Sequence, residues 1–173
     1  MTFVLNREAA LRLSFLARVV RKESKHLVST DQRLFDIPFN IDRARQLEID
    51  PELSERVEAF VSRFSRLQDT IGDKLLPALL AALGEMPAAA IDNLNKAERL
   101  GLLDSVEEWM VMRQLRNQMV HEYVEDLTVL ASALQSGHEF APMIMSAANN
   151  MILEIERRGW YRKTEVREVF PCA

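Results

Sequence analysis

The sequence predicts an all-α fold, a single antiparallel helical bundle of five to six helices. Three observations lead there. Glycine is scarce, 5 in 173 residues, while Leu, Ala, Glu, Arg and Met dominate, and these are helix formers. Apolar residues recur at helical spacing almost throughout. The breaks between the periodic stretches are short, which folds each helix back on its neighbour. A length of 173 residues suits one domain, 1–173, with one core.

The first helix is expected over about Arg7 to Ser29, with Leu11, Phe15, Val19 and Leu27 on one face. Ser29-Thr30-Asp31 closes it. The stretch Gln32 to Asn40 holds Leu34, Phe35, Ile37, Pro38 and Phe39 without period, which reads as a loop packed over the core with a short helix after Asp42. Asp50 can cap the next helix, Pro51 suits its first position, and Glu52 complements its dipole. Val57, Phe60, Val61, Phe64, Leu67, Ile71, Leu75 and Leu79 give that helix one long stripe to about Gly84, bent by Pro77. A short helix near Ala89 to Leu100 ends at Gly101. Ser105 and Glu108 form a capping box that opens a helix to about Tyr123. One further helix reaches Gln135 and stops at Ser136-Gly137, and a last one covers about Phe140 to Arg158. The tail 160–173 is left unassigned.

Composition removes several function classes. The net charge is −4 and the pI about 5.5, which argues against a broad basic surface for nucleic acid and leaves room for a local basic site. The single cysteine, Cys172, allows no disulfide framework and no cysteine zinc site. Charges from Arg7 to Lys22 interrupt any apolar leader, and the uncharged runs are shorter than a membrane span, so a cytoplasmic protein is expected.

The helix after Ser105 carries the chemistry. On a wheel of 100° per residue starting at Val106, its apolar residues Trp109, Met112, Leu115, Met119, Val120 and Tyr123 fall between about 180° and 320°. Arg116 lands at about 280°, inside that arc. An unpaired guanidinium on a packing face costs several kcal/mol, on the order of the penalty for any buried lone charge. It must therefore snorkel, meet a carboxylate, or border a cleft. Asn117 and His121 lie four apart on an adjacent strip, with Arg113 between that strip and Arg116. Arginine grips phosphate with two parallel hydrogen bonds, an amide orients, and an imidazole moves a proton near neutral pH. The group suits phosphodiester chemistry without a metal or cofactor. Arg-x4-His alone arises by chance in roughly one chain in five of this length; adding Asn117 and Tyr123 lowers that to about one in several thousand.

The run Arg116-Asn117-Gln118-Met119-Val120-His121-Glu122-Tyr123 resembles the Arg-Asn-x-x-x-His-x-Tyr signature of HEPN-domain proteins, and in particular the HepT-type toxins that pair with minimal nucleotidyltransferases. Gln68-Asp69-Thr70, the Leu100-Gly101-Leu102 turn, the Glu107-Glu108-Trp109 entry and Asp126 extend the resemblance, strongest over 52–158. It implies a HEPN-like bundle that forms a homodimer, with a metal-independent endoribonuclease site in the cleft between protomers. His121 would be the general acid or base, Arg116 would stabilise the phosphorane, and Asn117 would orient the phosphate or the imidazole. RNA, a tRNA or an mRNA, would be the substrate, cut by 2′-hydroxyl transesterification to a 2′,3′-cyclic phosphate and a 5′-hydroxyl. Tyr123 matches the position that a nucleotidyltransferase antitoxin adenylylates. A non-catalytic HEPN module that binds such a partner or a nucleotide is the alternative.

Asp69 and Asp73, four apart on the long helix, are supporting candidates as partners for Arg113 or Arg116. No Glu-x-x-His accompanies them, which speaks against a di-iron bundle. His26 and His138 fall near expected helix ends and read as surface or capping residues. Met143, Met145 and Met151 read as core fillers. The basic residues Arg157, Arg158, Arg162, Lys163 and Arg167 alternate with glutamates, as on a solvated face.

Overall fold

The computed structural model describes residues 5–121 and 125–162. Every regular element among them is helical: α1 (Arg7–Leu34), α2 (Ile41–Arg45), a 3-10 turn (Gln46–Glu48), α3 (Pro51–Asp69), a π-turn (Thr70–Leu75), α4 (Leu76–Ala82), α5 (Ala90–Arg99), α6 (Val106–His121) and α7 (Leu127–Arg157). None of these helices is long and apolar enough to cross a membrane. The all-α expectation holds. The resemblance to a HEPN bundle is finer than this observation.

Cross-helix pairs fix the directions of the four long elements. Arg63 reaches the His26 carbonyl at 3.1 Å, while Thr70 lies beside Glu23, so α1 and α3 run antiparallel. Arg116 meets Asp69, and Trp109 packs on Gly72, so α3 and α6 do too. Met119 packs on Gly137 and Asp104 bonds Ser146, and Asp31 pairs with His138 and Arg21 with Glu156; α7 therefore opposes both α6 and α1. The result is an antiparallel four-helix arrangement around one core, in which Phe60, Phe64, Trp109, Leu27, Leu67 and Ile71 are among the largest fully buried side chains.

Four boundaries depart from the sequence reading. α1 continues past Ser29 to Leu34, because Thr30 Oγ1 donates to the His26 carbonyl at 3.1 Å and Leu27, Thr30 and Leu34 keep the buried face going. α2 starts at Ile41, before Asp42, because Asn40 Oδ1 accepts the Arg43 N–H at 3.0 Å. The break in the long helix is a wide π-turn ahead of Pro77, with the Leu76 N–H bonding Ile71 O. In a regular helix the proline ring would strike the carbonyl of Asp73; after the π-turn Pro77 falls in the first turn of α4, where its missing N–H is no loss. The expected stop at Ser136-Gly137 does not occur. Gly137 lies inside α7, where that helix packs on Met119 of α6 and Phe60 of α3, and Pro142 is carried inside the same helix.

Other expectations agree. Asp50 Oδ1 caps Leu53 N–H at 3.0 Å with Pro51 first in α3. Gly84 takes a φ of +85°, the left-handed conformation that ends the α4 segment. The Ser105 hydroxyl accepts from Glu108 N–H at 3.2 Å, and Glu98 of α5 adds a second cap by accepting from Val106 N–H at 2.6 Å. Phe39 is buried and Phe35 packs against the core, as a loop folded over it requires.

Candidate active site on the outer strip of α6

Trp109, Met112, Leu115 and Met119 form the buried face of α6. Arg116 does not lie in its middle. It lies at the edge facing α3, with its side chain 32% exposed. Its Nη2 donates to Asp69 Oδ2 at 3.0 Å and its Nη1 donates to Asn117 Oδ1 at 3.0 Å. Asp69 is itself 44% exposed, so the pair stands at a solvent boundary and not in the interior. The guanidinium thus meets a carboxylate, and that carboxylate lines a cleft.

That cleft is a cavity of about 620 Å³ between α3, the π-turn and α6. Val61, Ser65, Arg66, Asp69, Met119 and Val120 are among its lining residues. Val120 is exposed, although the wheel groups it with the buried residues, because the cavity opens on its side. Ser65 Oγ and Arg116 Nε are buried without a hydrogen-bond partner among the described residues. Buried polar atoms are normally satisfied; of these two, Ser65 lines the cleft and Arg116 bonds Asp69, which also lines it.

Asn117 and His121 are exposed and successive on the outer strip of α6. Arg113 is half-buried, and no ion pair of it is present among the described residues. Five residues of α-helix turn through about 500°, which leaves His121 about 140° from Arg116 around the axis. Within one chain, Arg116 therefore reaches towards Asp69 on α3 and His121 is exposed on the outer strip, and Asn117 connects the two by accepting the Arg116 hydrogen bond. Tyr123 lies outside the described residues. Asp73 is exposed in the π-turn. Of the sequence candidates, the structure joins Arg116, Asn117 and Asp69, and leaves His121, Arg113 and Asp73 apart from them.

Sequence reasoning passed over Arg66, Thr70 and Glu23. Arg66 and Thr70 line the same cleft as Asp69, and Thr70 opens the π-turn. Burial raises the Glu23 carboxyl above the ordinary carboxylate range, against the lowering pull of Thr70, Arg66 and Lys74. The 66–70–74 spacing at successive fours was the available signal.

Of the other histidines, His26 is exposed as expected although α1 runs past it, and His138 departs from expectation. His138 is not at a helix end. It sits inside α7, its Nδ1 2.8 Å from Asp31 Oδ1 and its ring stacked on Phe35 at 4.4 Å, so it fastens the end of α1 to α7. His26 lies within α1, beside a small cavity with Glu23, Arg63 and Arg66. Met151 is buried, and Met143 and Met145 pack partly against the core. Arg157 and Arg158 both pair with Glu154, while Lys163 and Arg167 lie outside the described residues.

No family model, curated protein or solved structure matches this chain.

Proposed function

We propose that the chain is a HEPN-type toxin of a toxin–antitoxin pair, a metal-independent endoribonuclease that works as a homodimer. One observation carries this reading: the Arg116-Asn117…His121 group stands on one capped helix, with Arg116 held by Asp69, a carboxylate that lines an open cleft. Transesterification at phosphorus needs a base to take the 2′-hydroxyl proton and an acid to protonate the leaving 5′-oxygen, on opposite sides of the phosphorus. One chain offers one imidazole in this motif. A two-fold dimer that sets two α6 strips face to face offers two.

In such a site one His121 removes the 2′-proton, the 2′-oxygen attacks the phosphorus, and the second His121 protonates the departing 5′-oxygen. Arg116 stabilises the charge on the non-bridging oxygens, and Asn117 keeps the guanidinium in place. The products are a 2′,3′-cyclic phosphate and a 5′-hydroxyl. The cognate partner is a minimal nucleotidyltransferase antitoxin. Adenylylation of Tyr123, two residues beyond His121, would place a phosphate beside the site, neutralise Arg116 and block entry.

The test is expression of wild type and His121→Ala without the partner, together with incubation of each purified protein with total RNA. Wild type should arrest growth and leave cyclic-phosphate ends, while His121→Ala does neither. His121 is exposed, so the substitution should change stability by less than about 0.5 kcal/mol, and loss of activity cannot be put down to unfolding. Uncut RNA from both proteins, with both harmless, would leave the non-catalytic module that binds a nucleotidyltransferase or a nucleotide.

A further inference from the structure

On the other side of the π-turn lies a second cavity, of about 560 Å³, between α1 and α3. Arg66, Thr70 and Lys74 line both this cavity and the cleft beside Asp69, so the two adjoin along one wall. The π-turn creates that wall. Four residues of α-helix overshoot a full turn by about 40°. The wider π-turn takes up the overshoot, so Lys74 stays in line with Arg66 and Thr70 instead of drifting off their strip.

The opposite wall comes from α1, where Arg12, Phe15 and Glu23 face the cavity at helical spacing. Among the described residues, three cations line this groove, Arg12, Arg66 and Lys74, against one carboxylate, Glu23. Neither Arg12 nor Lys74 forms a salt bridge among the described residues, and the hydrogen bond of Arg66 is a 3.5 Å contact to Ser62 in its own helix. Glu23 interacts with Arg66 and Lys74, which leaves the groove with an excess of positive charge in a chain of net charge −4. Beside it, Phe15 is 48% exposed, a large aromatic ring presented to solvent. Cations spaced along a groove beside an open aromatic face are what a single-stranded polynucleotide needs: phosphates for the cations, a base for the ring.

We propose that the groove formed by Arg12, Phe15, Arg66 and Lys74 is a binding track for single-stranded RNA, leading past the π-turn into the cleft lined by Asp69. The substrate class rests on the ribonuclease reading above; the track itself is a separate site. Arg66 and Lys74 hold phosphates where the two cavities adjoin, Arg12 holds the next one out, and a base stacks on Phe15.

The test measures binding by fluorescence anisotropy with a short, labelled 2′-O-methyl oligouridine, which cannot undergo transesterification. The proteins are wild type, Arg12→Glu/Lys74→Glu, Phe15→Ala, and a control with the same charge change elsewhere, Arg33→Glu/Arg99→Glu. All five positions are exposed, and circular dichroism checks that each variant folds. The groove double variant should bind about tenfold or more weakly, with a salt dependence shallower by about 1.4 for two lost phosphate contacts. Phe15→Ala should lose about fivefold, and the control should bind as wild type does. Equal affinity of the groove variant and wild type, an equal loss in the control, or no binding by wild type would each overturn the track. Cleavage of ordinary RNA, abolished by His121→Ala, is scored separately: cutting with no groove effect keeps the ribonuclease and removes the track, and the reverse keeps the track and removes the ribonuclease.

Discussion

Arg116 is held by two acceptors of different kinds. Asp69 neutralises its charge from α3, and Asn117 aims it from the next position in α6. Half-exposed ion pairs contribute about 0–1 kcal/mol to stability, so this pair is better understood as orientation than as a strut. Glu23 is the opposite case. Burial raises its carboxyl, and the protonated form is therefore favoured by folding. The sign follows from linkage: between the unfolded and the raised folded value the native state holds more protons, so stability falls as pH rises through that window, and the loss persists above it. Glu23→Gln should therefore be more stable than wild type at pH 7 and equal to it in acid below the ordinary glutamate range. Thermal melts across pH measure this, and a variant less stable than wild type at pH 7 would contradict it. Glu154 behaves differently: burial would raise it, but the hydrogen bonds from Arg157 and Arg158 outweigh that and hold it low. Its contribution is present above the unfolded value and is lost as pH falls through the folded one.

At the scale of elements, two glycines inside helices separate two kinds of packing. A Cβ on Gly137 would meet Met119 and Phe60 at 3.4 Å, an ordinary van der Waals distance. A Cβ on Gly72 would meet Trp109 at 3.2 Å, and that indole is fully buried against the π-turn. Gly137→Ala should gain part of the roughly 1 kcal/mol of helix propensity that glycine forgoes. Gly72→Ala should lose on the order of 1 kcal/mol, because the overpacking exceeds the same gain. Urea unfolding of the pair measures the contrast; a Gly72→Ala protein as stable as Gly137→Ala would mean that Trp109 yields easily. The element boundaries teach a related lesson. Caps that satisfy N–H groups were legible at Asp50 and Ser105, which accept the bonds their positions suggest; Asp126 does the same for α7, although the sequence reading did not single it out as a cap. Residues that resemble stops were not. Ser29-Thr30-Asp31 and Ser136-Gly137 stay helical because each is used by a neighbouring helix, Thr30 beneath Arg63, Asp31 on His138, and Gly137 under Met119.

At the scale of the whole molecule, one antiparallel bundle sets α6 between α3 and α7 and leaves its outer strip open. If two imidazoles must act together, activity depends on pairing between copies. Wild type and His121→Ala mixed one to one and allowed to exchange should retain about a quarter of the wild-type rate, the share of pairs with two intact copies under random association. Independent sites would retain a half, and that value would end the shared-cleft reading. The same open strip explains why the wheel misjudged Arg116. A wheel ranks positions within a helix but carries no record of where neighbours stop: Val120 falls at the cleft, and Arg116 stands half-exposed beside Asp69.

By itself, the sequence determined the helical class, the caps and the Arg116-Asn117…His121 spacing, since backbone propensity, hydrophobic period and capping chemistry are local and act within a few residues of one another. Only the tertiary structure decided which carboxylate meets Arg116, how the chain passes Pro77, and that Arg12 and Phe15 share a groove with Lys74. Those depend on contacts between residues tens of positions apart, whose positions are set jointly by the packing of all the helices and by no single stretch of chain.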